Sequence, residues 1–458
     1  DMPADFRAFH PCRLQRPGSF RYRSSFYRGL PCHGDPDGLS RRRVVLKILC
    51  AFGEYNYGKR ERGHGYEFFN FLPAFKALGH DVVFFETLDR GRYTDFAHLN
   101  QCFLETVQKE KPDVIFCVLM HYELWMETLD IAKGIGGAAL INWATDDSWK
   151  YRQFSRLIAP HFDLYATTYA TALEKARQDG LDNFFLTQWA AAGTTLQAPL
   201  PARECRHAVT FVGSRYGNRE DWIAGLRQKG IEVECFGHGW PRGAVAGEKI
   251  PEIMRNSFIS LNFGDSGVTM DGLRLSRSRQ IKARIFEVPG CGGFLMTQPA
   301  DDLERYYFPD REVATFDDLD DLAPKIGYYL AHPDERDRIA RAGHARTRAE
   351  HTYEIRFSQL LEAANRLRKQ KTGGEKALAR RDSALVLEEF RRLELRHKTN
   401  FGLRLLRSLL TIPCCLVWGK QRGPRAARRL LFEVSWRLFG HSTYTVAGWP
   451  GRIFYKES

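Results

Sequence analysis

Two successive series of short apolar runs, each alternating with helically spaced segments, constrain this chain more than any other feature. The first series comprises residues 44–52, 81–86, 113–119, 138–144 and 162–167. Each run is apolar almost throughout, as a strand covered on both faces has to be. Between the first two, GYEFFNFLPAFKALGH sets Phe68, Phe71, Leu72, Phe75 and Leu78 at helical spacing and puts Gly79 where a C-terminal cap belongs. The second series reads HAVTFVGS, IEVECFG, FISLNFG, GFLMT and EVATF as strands, with helices over 219–229, 280–288 and 318–331. The stretch AAGTTLQAPLPARECRH (191–207) separates the series and has the small-residue turns and prolines of a linker.

Repeated strand–helix–strand order predicts parallel sheets. Two such units predict an α/β fold of two Rossmann-like domains facing a central cleft at the carboxyl ends of their strands. The expected division is a disordered leader at 1–43, a first α/β domain at 44–200 and a second at 206–345. A helix within 345–368 then returns to the first domain (segment 346–371), and 372–458 forms a basic, amphipathic helical extension.

The net charge of +13 lies at the ends of the chain. Nine Arg face four Asp in 1–43, and seventeen Lys/Arg face seven Asp/Glu in 372–458, which leaves 44–371 with a net charge of −2. A nucleic-acid groove needs positive charge on the folded core, so specific nucleic-acid binding is not expected. The ten cysteines include no CxxC pair and no His cluster that would complete a zinc site, which predicts reduced, structural thiols. No run reaches the roughly 18–20 uninterrupted apolar residues of a membrane span, and the N-terminus lacks the layout of a secretory signal. A cytoplasmic location is expected. In the extension, LRLLRSLLTIPCCLVW reads as too short to span a bilayer. GPRAARRLLFEVSWRLFG interleaves Leu, Phe and Trp with Arg, the pattern either of a helix lying on the inner face of an anionic membrane or of a helical pair packed on the domains.

The chemistry-bearing residues gather where loops meet strand ends. QIKARIFEV leads into the Gly-containing turn PGCGG and the strand FLMT. Such a turn lets phosphates or sugar hydroxyls approach the backbone; Arg284 and Lys282 supply charge for a diphosphate, and Glu287 can accept two ribose hydroxyls. In the first domain Gly63-His64-Gly65 lies between the first strand and first helix. There His64 is either a general base for an acceptor hydroxyl or a structural histidine at a helix N-terminus. Asp146 and Asp147 end the fourth strand and either orient His64, act as base, bind acceptor hydroxyls, or cap the next helix. His121 and Glu123 follow the third strand as weaker acceptor-side candidates. His238, in CFGHGW, is placed to approach a nucleotide. No acidic pair sits where a metal ion is demanded.

The run KARIFEVPGCGGFLMT and the stretch from DDLERYYFPD to RAEHTYEIR resemble the C-terminal domain of family-1-type glycosyltransferases, and in particular the branch of the spore maturation protein CgeB. FVGSRYGNREDWIAGLRQKGIEVECFGHGW, INWATDDSW and RGHGYEFFNFLPAFKALGHDVVFFE resemble other parts of that branch. The resemblance covers about 44–365. It implies a fold of the GT-B type, with Glu287 as the second glutamate of the family's E-x7-E signature, on the donor ribose. It further implies Gly292 and Gly293 beside the donor phosphates, and Gly213 and Ser214 in the loop facing the diphosphate. Arg215 and Arg219 are either charge partners there or solvated residues at a helix start. The signature's first glutamate falls at Arg279, a departure at the position that usually contacts the donor sugar. The resemblance implies metal-independent, cofactor-free sugar transfer from a nucleotide-sugar to a hydroxyl acceptor. The alternatives are a nucleotide-sugar epimerase, or a non-catalytic module using 372–458 to bind a membrane surface or a partner glycosylation enzyme.

Overall fold

The computed structural model describes residues 44–264, 268–271, 274–277, 279–372 and 383–458. The expectation of disorder over 1–43 falls outside the described residues. So does the first part of the charged helix expected from 375.

The first sheet holds β1 (Lys47–Phe52), β2 (Asp81–Glu86), β3 (Val114–Cys117), β4 (Ala139–Trp143), β5 (Leu164–Thr167) and β6 (Phe184–Leu186). Its order is β2-β1-β3-β4-β5-β6, parallel throughout. The expected strands are all present. β6 is additional, and its three residues are too few to carry a period. β1 lies between β2 and β3, so the direction of winding reverses there and opens a crevice at the carboxyl ends of the two central strands.

The second sheet is built from β7 (His207–Val212), β8 (Glu234–Phe236) and β9 (Ser257–Asn262), then, beyond a separate antiparallel hairpin of β10 (Val268–Asp271) and β11 (Arg274–Arg277), from β12 (Leu295–Thr297) and β13 (Ala314–Thr315). Its order, β13-β12-β9-β7-β8, is also parallel and reverses at β7. The hairpin is absent from the sequence reading.

Two helices differ from expectation. The one placed at 280–288 spans Arg284–Gly290 instead. Gln280 and Ile281 are buried in extended chain ahead of it, and Gly292 in the left-handed region (φ 84°) marks where the chain turns away beyond it. The helix expected over 345–368 is two helices, Pro333–Glu350 and Tyr353–Thr372. They break because the linker takes the backbone groups between them: Ala191 N donates to His351 O at 3.0 Å, and Tyr353 N donates to Ala191 O at 3.0 Å.

Beyond that break the chain does return to the first domain. Phe357 stacks on Phe75 (4.2 Å between centroids), and Tyr353, Leu360 and Ala364 are fully buried in the same core. Side chains of the size of Phe357 and Leu360 contribute about 1.5–3 kcal/mol each on burial, so the helix is integral to the first domain. The core it joins also holds Met254, Ile285 and Phe286 from the second domain.

The extension packs on the other side of the first sheet. Helix Ser383–His397 buries Val386, Phe390 and Leu393, with Phe390 stacked on Trp125. Helix Phe401–Phe439 is interrupted at Gly419 (φ 77°, ψ 166°) and doubles back, so closely that a Cβ on Gly423 would lie 2.6 Å from Cys415 Cα. Its second arm is fixed to the first domain by Phe432, Trp436 and Tyr444. The first arm begins at Phe401, before the expected start, and by length and composition this segment is apolar enough to cross a membrane. The eight described cysteines are free thiols, and burial pushes those of Cys50, Cys117, Cys235 and Cys291 up.

Candidate active-site cleft

A cavity of about 410 Å³ opens between the two sheets. The first domain contributes Asn56, the loop from Glu61 to Gly65, Tyr66, Phe69 and Asn70. The second contributes His238, Ala244 to Gly247, Ile250, Pro251, Met254, Arg284 and Glu287, and the linker adds Thr195. The structure thus brings Gly63, His64, Gly65, His238, Arg284 and Glu287 together from sequence positions more than two hundred residues apart.

The loop after β1 holds His64 firmly. Gly63 has φ 74°, a Cβ on Gly65 would lie 3.2 Å from Gly53 O, and Gly65 N donates to Glu54 O at 2.8 Å. Both glycines are therefore required by the loop itself. Asn56 Nδ2 donates to His64 O at 2.9 Å. The imidazole is stacked between Tyr55 (5.2 Å) and Phe68 (4.8 Å), nearly parallel to both. With its two faces covered, the ring nitrogens remain available at its edge.

Opposite, Arg284 Nη1 donates to Glu287 Oε2 at 2.7 Å, one helical turn apart, and both side chains are about one-fifth exposed. Arg219 adds a second guanidinium close by. It lies over Tyr216 (4.0 Å to the ring centroid) and donates to Ser214 O at 2.8 Å; burial, and then the like charge of Arg284, depress its pKa.

The other expected site residues lie away from the cavity lining, each for a definite reason. Arg215 is paired with Glu220 on the surface, as a solvated residue before a helix start. Lys282 donates to Gln280 Oε1 at 3.1 Å. Gly213 is held by its neighbours: its N–H donates to Phe236 O, its carbonyl accepts from Trp240 Nε1, and Gly237 packs directly onto it. Ser214 serves Arg219 through its carbonyl. Gly292 and Gly293 are accounted for by packing: a Cβ on Gly292 would lie 2.6 Å from Gln197 O in the linker, and one on Gly293 2.7 Å from Met254 O. The glycine-rich turn seats the second domain against its linker.

Of the first-domain candidates, His121, Glu123, Asp146 and Asp147 lie outside the cavity lining. His121 lies against Phe432 of the extension, and burial drives its pKa well below the usual value. Glu123 is 1% exposed and accepts from His121 N. Asp146 occupies the N-cap position, yet its side chain caps nothing and, among the described residues, makes no bond to His64. Its charge acts instead on Glu67, whose carboxyl is pushed up to about 6, chiefly by burial. Asp147 is 2% exposed and accepts from Ser155 Oγ, so it belongs to the core.

Burial raises the Asp147 pKa to about 6 from a usual 3.8. A carboxyl whose folded pKa is raised stabilises the fold fully below the unfolded pKa, and that stability is lost as pH rises from about 4 to about 6. Asp147→Asn is therefore expected to gain about 2–3 kcal/mol over the parent at pH 7.5 and little at pH 4, since one pKa unit is about 1.4 kcal/mol. Urea unfolding at both pH values measures this; an equal effect at the two would refute it.

Two parallel α/β domains whose loops meet across a common cleft define a GT-B architecture. Residues 215–362, which include Arg219, Arg284, Glu287 and the first half of the helix returning to the first domain, match the family model described as glycosyl transferase-like. Among solved structures the chain is similar to HepE of Anabaena with UDP and glucose (12% identity, TM-score 0.49, covering 70% of this chain and 99% of that one). It is similar to sucrose-phosphate synthase of Thermosynechococcus elongatus (13%, 0.49, 70% and 99%) and to the lipopolysaccharide outer core galactosyltransferase WaaB (12%, 0.43, 70% and 99%). No curated protein sequence matches.

Sequence reasoning missed the wall formed by Ala244 to Gly247 and by Ile250, Pro251 and Met254. The signal was present in GAVAG, a run of small residues that permits close approach, but it carries no charged or hydrogen-bonding side chain that points to chemistry.

Proposed function

We propose that this chain is a glycosyltransferase that moves a sugar from a nucleotide-sugar donor, held by the second domain, to a hydroxyl acceptor presented by the first. The observation that carries this reading is the meeting of His64 with the Arg284–Glu287 pair across one cleft, the pair lying inside the glycosyl transferase-like segment. Glu287 accepts the ribose hydroxyls, Arg284 with Arg219 behind it neutralises the developing diphosphate charge, and His64 takes the acceptor proton. Base catalysis from the acceptor side favours inversion at the anomeric carbon. Two guanidiniums already supply positive charge, so the transfer proceeds without a metal ion in this reading. The CgeB-like branch and a cytoplasmic location belong to the same proposal.

A thermal-shift series with UDP-, GDP-, TDP- and ADP-sugars, with and without EDTA, tests it. At least one donor is expected to raise the melting temperature by several degrees and to keep doing so in EDTA, because a ligand bound at 100 times its Kd adds about 2.7 kcal/mol. No response to any donor refutes the reading. Donor turnover that needs no acceptor would favour an epimerase.

A further inference from the structure

The C-terminal hairpin leaves an apolar face uncovered after it has packed. On its first arm Leu403, Leu406, Leu410 and Cys414 turn inward against Ala427, Leu431 and Phe454. On the opposite face Phe401, Leu405, Leu409, Ile412 and Leu416 fall at i, i+4, i+8, i+11 and i+15, and each is between 50% and 84% exposed. Leu430, Val434 and Leu438 repeat the pattern on the second arm. Soluble proteins rarely leave apolar ridges of this extent in water.

The charge on the same element identifies the occupant. Residues 401–439 carry eight Lys/Arg and one acidic residue, Glu433, which is itself paired with Arg437. Arg404, Lys420, Arg422, Arg425 and Arg429 are exposed and have no ion pair among the described residues. Trp418 stands exposed at the tip beside Lys420, an arrangement suited to the lipid headgroup level. We propose that this hairpin docks the protein on an anionic lipid surface, its apolar ridge entering the interface and its arginines meeting lipid phosphates.

The hairpin lies on the bilayer and does not cross it. Its second arm carries Arg422, Arg425, Arg428, Arg429 and Arg437, which a bilayer interior does not accommodate, and Phe432 and Tyr444 bind that arm to the first domain.

Co-sedimentation of the full chain with vesicles tests the proposal independently of any sugar chemistry. The chain is expected to pellet with vesicles of phosphatidylcholine and phosphatidylglycerol in equal parts, roughly tenfold more than with phosphatidylcholine alone, and to be released by salt. Leu405→Glu, Leu409→Glu, Ile412→Glu and Leu416→Glu together are expected to abolish pelleting at an unchanged melting temperature, because all four side chains face solvent. Should that variant misfold, Arg425→Glu with Arg429→Glu serves in its place and is expected to weaken pelleting on the anionic vesicles. Absence of binding to anionic vesicles overturns the proposal, as does a folded variant that pellets like the parent. Self-association through this face without vesicle binding overturns it too, and identifies a second copy as the occupant.

Discussion

Glu287→Ala is expected to erase the nucleotide-sugar-dependent rise in melting temperature while leaving the unliganded protein folded. Among the described residues the Glu287 carboxylate has one hydrogen-bond partner, Arg284 at 2.7 Å, and it lines the cavity. A hydrogen bond to a charged group contributes about 1.5–3 kcal/mol, so losing those to a ribose weakens donor binding roughly 10- to 150-fold. At a ligand concentration 100 times the parent Kd, a hundredfold loss reduces stabilisation from about 2.7 to about 0.4 kcal/mol. Glu287→Gln, which keeps one acceptor oxygen, is expected to fall between. An undiminished shift in the alanine variant would remove Glu287 from the donor site.

His64→Phe is expected to lower kcat by about 10²–10⁴, the usual contribution of a general base, with the donor-dependent thermal shift retained. Phenylalanine is the informative replacement because His64 is stacked between Tyr55 and Phe68. It preserves the aromatic sandwich, worth about 0.5–1.5 kcal/mol per pair, and removes only the ring nitrogens. Alanine would mix lost packing with lost chemistry. Turnover near the parent level in His64→Phe would show that the imidazole is a structural spacer.

The fold was largely legible because most of its strands announce themselves as apolar runs, as in DVVFFE, whose bounds match β2 residue for residue. Misreadings arose where long-range contacts decide local structure. The break at His351–Thr352 depends on hydrogen bonds to Ala191, which no local pattern encodes. The packing of the glycine-rich turn was hidden for the same reason: Gly292 meets the linker at Gln197, a contact 95 residues away in sequence. The sequence singles out His64, Arg284 and Glu287 because few residue types do such chemistry, and the structure sets all three on one cavity. The burial of Asp147 and His121 was not legible, because sequence shows that a residue can react and not whether water or substrate can reach it.

The paired crossings at Ala191 and Thr352 make the second α/β unit a cassette. The first domain is formed by chain on both sides of it, since the helix from Tyr353 covers one face of the first sheet and the C-terminal extension packs on the other. The intervening segment leaves and re-enters through adjacent, hydrogen-bonded positions, the geometry under which one domain is exchanged for another without disturbing its host. The 160 residues between these crossings, which carry Arg284 and Glu287, thus enter and leave through one seam, with Met254, Ile285 and Phe286 as the side chains a replacement has to match to the host core.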